Sequence, residues 1–567
     1  MTPLQNGLHL RGRGTSLTLE GSPALPALWK LLAARLAPGA DAPTGAVAPP
    51  EAPPKVAAAL ATVTARLREH DLIVDHPDGA RLPAWPGAVA DDPGGAAAAL
   101  AAARPVVAAA DPDGPVARAV ARALRRGGTA APTLVAEPAL PAGRVVVSAG
   151  DPAVAVAVQC DAGGGFVTEP ADPARTRADA TALAARLGRD AATDRPAEAP
   201  GSSADPGSSA DPGSSADPAP TEPPVPGALP VLLAAAAAQR LLCAVAGLPD
   251  PGDPADQPLL LAGRPAVLLA EARPPRAEHR PWAAGPGAVA APPGDLGEAL
   301  RRVTALADAR LGVLDAPSPG GLPQLPAALV SCGTPSGTLV AGAARTDLAR
   351  LAAACRSAEL HLAAVDGATG AVVGADPGHA LGRALRRAAL GLGDPGGPVL
   401  PESGWREHPQ AAHWWDALAR RLGRPPRVTV RRLDGCRAYR AEAEQAVAIE
   451  ATPADAVAHA VLDALTRLLA RLAARDGGPA AAHHTALTGA AAPLAAAGLR
   501  PAAWTDEGWT DRWLTGLADR EAGLRADLHR LTGLRTTRWR PATPGARPLA
   551  DALAGCGFTA LVPTGAH

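Results

Sequence analysis

Three tandem copies of Gly-Ser-Ser-Ala-Asp-Pro fill Gly201–Pro218, and Ala-Pro-Thr-Glu-Pro-Pro-Val-Pro follows them. Such a run has nothing to bury and reads as a flexible linker or long loop. Whatever folds must therefore build its cores from the sequence on either side. Two further Pro/Ala breaks, Asp41–Pro54 and Ala284–Asp295, divide the rest. At about 100–200 residues per domain, a chain of 567 residues holds three or so. The breaks place them at 1–80, 100–292 with the loop 196–226 inside it, and 293–567.

Composition removes several chemistries. The chain carries 54 Lys+Arg against 55 Asp+Glu, a formal charge of -1, where a duplex-binding protein usually shows a basic stripe. Alanine supplies much of the 47% hydrophobic content. This reads as coding bias, so alanine runs are not disorder by default. The only lysines are Lys30, followed by Leu31, and Lys55, followed by Val56; neither completes a G-x-x-x-x-G-K-[ST] phosphate loop. The six cysteines, Cys160, Cys243, Cys332, Cys355, Cys436 and Cys556, form no C-x2-C zinc pair. The start Met1-Thr2-Pro3-Leu4-Gln5 lacks the basic and apolar regions of a signal peptide, so reduced thiols and a cytoplasmic location are expected. Ala228–Leu242 is broken by Gln239-Arg240 and reads as a buried helix, with no membrane partner.

The first eighty residues read as a small module. Leu8-His9-Leu10-Arg11 and Ser16-Leu17-Thr18-Leu19-Glu20 alternate apolar and polar around Gly12-Arg13-Gly14, a hairpin pattern. Ser22 can cap a helix over Pro23–Leu36. Val56, Leu60, Val63 and Leu67 fall at helical spacing, and Leu72-Ile73-Val74 makes a short strand. The order suits a winged-helix-like fold. For DNA reading, the helix Val56–His70 offers only Thr62, Thr64, Arg66 and Arg68; a solvated face explains these equally.

In the second segment, Pro105–Asp111 reads as a buried strand, Pro112-Asp113-Gly114-Pro115 as a turn, Val116–Arg126 as a helix and Thr133–Glu137 as a strand. That is a Rossmann-type unit, but one glycine stands where G-x-G-x-x-G needs three. Arg144–Ser148 and Ala153–Gln159 add strands, and Gly163-Gly164-Gly165 reads as a tight turn. The third segment opens with an amphipathic helix, Leu296–Ala309. Strands follow at Leu329-Val330 and Thr338–Gly342, with helices at Thr346–Ala364 and Ala454–Ala474.

In this order the parts resemble the ocin-ThiF-like partner proteins of azoline formation in thiopeptide pathways. The N-terminal module resembles their RiPP recognition element. Pro105 to about Trp282 resembles a ThiF/E1-like domain, with a crossover helix Pro230–Gly247 and strands at Leu259–Leu261 and Ala266–Ala270. The C-terminal segment looks like a reduced YcaO-type domain. The fold class implied is α/β multidomain: a winged-helix-like peptide-binding module, a degenerate Rossmann-like ThiF/E1 domain and a C-terminal α/β YcaO-like domain. The resemblance implies that a leader peptide adds a strand to the small sheet, over a groove lined by Val63, Leu67, Leu72, Ile73 and Val74. The module's own core is the other use for these residues, since a small domain needs its apolar positions.

Active members of these families carry features that are missing here. The ThiF-like segment has no lysine, no glycine-rich turn and no cysteine pairs. On the YcaO-like helix, Glu359 stands at the second of two glutamate positions and Arg356 at the first. On a later helix, Asp463, Thr466 and Leu468 replace the family's Glu, Gln and Arg. Glu359 and Asp463 are thus residual nucleotide or Mg²⁺ candidates. The reading is a non-catalytic scaffold with no cofactor of its own. It binds a precursor's leader and serves a partner YcaO cyclodehydratase, which uses ATP and Mg²⁺. Two alternatives are an active ATP-dependent cyclodehydratase or adenylating enzyme, and a winged-helix transcription regulator.

Other motifs are set aside. His408 and His413, and His483-His484, fit no metal spacing. Gly333–Gly337 is not a nucleophile elbow. Gly391–Gly396 matches G-x-G-x-x-G, but Pro395 and Pro398 argue against a helix opening there. Trp504, Trp509, Trp513 and Trp539 read as core anchors, with a partner interface as the other use.

Overall fold

The computed structural model describes residues 2–11, 16–36, 53–70, 72, 84–193, 227–253, 257, 259–393, 398–498 and 508–564. The chain divides into two compact units. One holds Met1–Thr181, Pro206–Asp253 and Leu268–Glu278; the other holds Ala182–Asp205, Pro254–Val267 and His279–His567. Both mix helices and strands. Most of the break Asp41–Pro54 and the whole of the loop 196–226 lie outside the described residues.

The first unit opens with β1 (Thr2–Leu4), β2 (Gly7–Arg11) and β3 (Ser16–Glu20), an antiparallel sheet in the order β1-β2-β3. The hairpin expected from alternation is β2–β3, with Leu8 opposite Leu19 and Leu10 opposite Leu17. Ser22 Oγ accepts from the Ala24 amide, and α1 (Leu25–Leu36) follows; α2 (Pro54–Glu69) opens on a proline that needs no amide partner. Leu8, Leu10, Leu32, Leu60, Val63 and Leu67 form their own core.

After α3 (Ala84–Val89) and α4 (Pro93–Ala102) come β4 (Val106–Ala109), α5 (Pro115–Arg126) and β5 (Thr133–Ala136). As expected, β4 and β5 are parallel, joined by α5. The rest departs from a Rossmann sheet. β6 (Arg144–Ala149), β7 (Val154–Cys160), β8 (Gly164–Val167), then, after α6 (Pro173–Thr193) and α7 (Ala228–Val245), β9 (Ala266–Ala272) and β10 (Pro275–Pro281) complete the order β10-β9-β8-β7-β6-β4-β5. β4–β6, β6–β7, β7–β8 and β8–β9 all pair antiparallel. Leu259–Leu261 is not a strand: Leu259 is 69% exposed, and the Leu260 amide closes a turn onto Gln257. The glycine triplet closes the tight β7–β8 turn at Gly163 and runs on into β8. Asp161 Oδ1 accepts from the amides of Gly163 and Gly164 at 2.9 Å, and a Cβ at Gly165 would meet the Gln159 carbonyl at 2.2 Å.

α7 is long and apolar enough to cross a membrane by length and composition. Its buried Leu233, Ala237 and Leu241 instead belong to the sheet's core, and its buried Arg240 pairs with Asp250 at 2.6 Å.

The second unit contains α8 (Leu296–Leu306), the hairpin β11 (Ala328–Thr334) and β12 (Gly337–Ala343), then α9 (Thr346–Asp366), β13 (Val372–Gly374) and α10 (Pro377–Gly391). After α11 (Pro409–Asp416) and β14 (Val428–Arg432), the same order recurs. The hairpin β15 (Tyr439–Ala443) and β16 (Ala446–Glu450) leads into α12 (Pro453–Arg475) and β17 (Ala481–Ala486). α13 (Ala492–Ala496), α14 (Gly508–Thr532), β18 (Thr536–Arg538), α15 (Arg547–Gly555) and β19 (Thr559–Pro563) close the chain. The sheets are β11-β12-β17, β13-β19-β18 and β14-β15-β16. The G-x-G-x-x-G match begins at the end of α10 rather than before a helix, so no phosphate-binding N-terminus follows from it.

Candidate functional site

Within the described residues β3 is an edge strand. A strand edge offers unpaired amides and carbonyls to another chain. Its exposure alternates: Ser16, Thr18 and Glu20 are exposed, whereas Leu17 and Leu19 are half-buried and pack on the module's core beside Trp29 and Val56. On the outer face Thr18 Oγ1 lies 2.8 Å from His9 Nδ1. Of the expected groove residues, Val63 and Leu67 are buried members of that core, and Leu72 is half-buried against it. The Leu72 amide donates to the Leu67 carbonyl at 2.8 Å. Ile73 and Val74 lie outside the described residues. Leu17 and Leu19 were not singled out from the sequence, although Ser-Leu-Thr-Leu-Glu signals a strand with one apolar face.

The turn Pro112–Pro115 before α5, where the resemblance would put a nucleotide turn, is filled from within. The Asp113 amide donates to Asp111 Oδ1 at 3.0 Å, and Gly114 donates to the Asp111 carbonyl. Two carboxylates thus stand at the N-terminus of α5, where a phosphate would need free amides and positive potential.

Glu359 sits on α9 with its side chain 1% exposed. Its Oε2 takes Arg356 at 2.8 Å and Arg387 at 2.7 Å. Its Oε1 takes Arg383 at 2.7 Å and the Val373 amide at 3.1 Å. Burial alone would raise its pKa, but Arg383, then Arg387 and Arg356, outweigh burial and hold the carboxyl below its ordinary value. Both oxygens are committed to donors. Arg356, at the position where the resemblance calls for a second glutamate, is one of them. Asp463 on α12 pairs with Arg467 through Oδ2 at 2.9 Å, and its Oδ1 is buried without a hydrogen-bond partner. Thr466 packs against Gly342, where a Cβ would meet its Oγ1 at 1.9 Å. Among the described residues no three His, Cys, Asp or Glu converge as a metal site.

No sequence motif signals a second buried network. Arg386 of α10 bridges Glu450 at 2.6 Å and Glu521 at 2.7 Å, with all three side chains at most 5% exposed. Burial would lower its pKa, but the two carboxylates raise it above the ordinary value. The Gly489 amide donates to Glu450 at 2.9 Å. Nearby, Asp455 accepts from Trp513 Nε1 at 2.8 Å and from Arg520 at 2.7 Å. His459 Nδ1 donates to the Asp455 carbonyl at 3.0 Å, which leaves Nε2 buried and unpartnered. These residues lie far apart in sequence and share no motif. Their arrangement ties α10, β16, α12 and α14 together.

Among the described residues no group is poised as a nucleophile. All six cysteines are free and buried. Burial pushes Cys160, Cys243 and Cys332 up to about 11, and Cys355 and Cys556 up to about 12. Ser336 Oγ lies 2.8 Å from His483 Nε2 on an exposed turn, but His483 has no carboxylate partner among the described residues to orient it. Trp513 is buried and Trp539 packs on the same core; Trp504 and the Trp509 side chain lie outside the described residues.

The chain matches no protein-family model, no curated protein and no solved structure.

Proposed function

We propose that the chain is a leader-peptide-binding scaffold. It presents a ribosomal precursor peptide to a partner YcaO cyclodehydratase, which spends ATP and Mg²⁺ to turn Cys, Ser or Thr into azolines. The observation that carries this reading is the edge strand β3, with Leu17 and Leu19 half-buried beneath it. An incoming strand takes its affinity from main-chain hydrogen bonds and its specificity from alternate side chains. Support for a non-catalytic role comes from Glu359, whose oxygens are saturated by three arginines and an amide, and from the carboxylate-filled turn before α5. The free thiols fit a reducing cytoplasm.

The deciding experiment titrates a labelled leader peptide against the full chain. Leu17→Lys puts an inward-pointing charge on the edge strand, a device that blocks strand addition. It should weaken leader binding by at least about tenfold, or 1.4 kcal/mol, while Thr18→Lys on the outer face has a much smaller effect. Equal binding by both variants would place recognition elsewhere. ATP turnover on the precursor without any partner would favour the active-enzyme reading.

A further inference from the structure

The first unit carries an open apolar groove of about 430 Å³ between α5 and α7. Alanines of both helices form its floor, and Trp85, Val231 and Leu242 line it. Short side chains let the helices approach closely: a Cβ at Gly127 would meet Leu242 at 2.3 Å. Trp85 donates from Nε1 to the Gly127 carbonyl at 2.9 Å, which anchors the indole at the end of α5. Val231 is 55% exposed and the neighbouring Leu232 44%, so α7 presents apolar surface that no described residue covers. A concave, mainly apolar groove of this volume with a few charged groups at its rim has the character of a binding site.

The rim supplies the sign of the partner's charge. Arg122 and Arg126 of α5 line the groove and are exposed, and neither has an ion-pair partner among the described residues. Being four residues apart, they stand one turn from each other on the same helix face. A basic residue in the last turn complements the helix dipole, which accounts for Arg126. Arg122, a turn earlier, has no such explanation.

We infer that the α5–α7 groove docks an amphipathic helix of a partner protein. That helix presents apolar side chains to the floor and two carboxylates, one turn apart, to Arg122 and Arg126. A lipid surface is the less suitable occupant, because the apolar lining is concave and a bilayer cannot follow it. The inference rests on α5 and α7 and is independent of the N-terminal module.

The test uses the full chain and two synthetic helical peptides that share a leucine face. One carries glutamates at i and i+4; the other carries lysines at the same places. Each peptide carries a terminal fluorophore, and its anisotropy reports occupancy while the groove residues stay native. The acidic peptide should bind at least about tenfold tighter than the basic one, and Arg122→Glu with Arg126→Glu should reverse the preference. Both arginines are exposed, so the double variant keeps its core. Val231→Asp should weaken the acidic peptide on the same readout. Equal binding of the two peptides, or a preference untouched by charge reversal, overturns the inference. So does arginine-dependent binding to phosphatidylglycerol vesicles, which would make the face a membrane contact. Arginine-dependent self-association on size exclusion also overturns it, because the occupant would then be a second copy.

Discussion

The resemblance makes Glu359 and Asp463 equal candidates for a residual nucleotide or Mg²⁺ site, and their surroundings separate them. Glu359 is buried under Arg356, Arg383 and Arg387; Asp463 makes a single i,i+4 pair. Removing one partner of a buried ion cluster leaves uncompensated charge, whereas half-exposed helix pairs contribute little. Glu359→Gln should therefore cost about 2–4 kcal/mol in denaturant unfolding, the low end reflecting the partial exposure of Arg356 and Arg387. Asp463→Asn should cost under about 1 kcal/mol. Saturating Mg²⁺ should leave the melting temperature of the parent chain unchanged; a clear rise would mean that a metal competes with the arginines after all.

His379 has a different consequence, in pH. Its Nδ1 accepts from the Ala375 amide at 3.2 Å. Burial, then Arg383 and Arg386, push its pKa down from 6.5 to about 3. The folded chain thus keeps the imidazole neutral where the unfolded chain protonates it. The stability it contributes is full above pH 6.5 and is lost progressively as pH falls toward about 3. Glu359 shifts in the same direction, but its loss begins only below its ordinary 4.5. His379→Asn keeps an acceptor and removes the titration. Its unfolding free energy should fall less steeply than the parent's between pH 6.5 and 4.5; parallel profiles would remove His379 as the cause.

Among elements, those set by local pattern were legible and those set by pairing were not. Alternation around Gly12-Arg13-Gly14 placed β2 and β3, and the apolar run before Pro112 placed β4, because side-chain period and turn residues act within a few positions. Strand direction has no such signal. β6 reads like any buried strand, yet it lies antiparallel to β4, so the Rossmann expectation held for β4–α5–β5 and failed beside it. Leu259–Leu261 shows the opposite error, since three apolar residues beside prolines are too few to specify a strand. In the candidate site, Arg356 and Glu359 could be read from their i,i+3 spacing. Arg383, Arg387 and Val373, which complete the cluster, come from elements that only the tertiary fold brings together. Val63 and Leu67 were legible as apolar helix positions, but spacing alone cannot tell a core face from a groove.

At the scale of the molecule, the second unit repeats one order: a hairpin, a long helix and a short strand, first as β11–β12–α9–β13 and again as β15–β16–α12–β17. Each helix packs on its own hairpin. The repeat is hidden in the sequence because alanine-rich helices of either copy satisfy the same packing with unrelated residues. The two units also carry separate thiol reporters: Cys160 and Cys243 in the first, and Cys332, Cys355, Cys436 and Cys556 in the second. A buried thiol reacts only when its surroundings open, and raised pKa values slow any residual attack further. Native protein should therefore resist maleimide at all six positions. With rising urea, labelling read by peptide mass should appear in two groups, each moving as a set, because each unit holds its own hydrophobic cores. Cys160 and Cys243 should share one midpoint and the other four a second. One midpoint for all six would mean that the units unfold as a single cooperative body, and scattered midpoints within a group would mean that the unit is not the cooperative element.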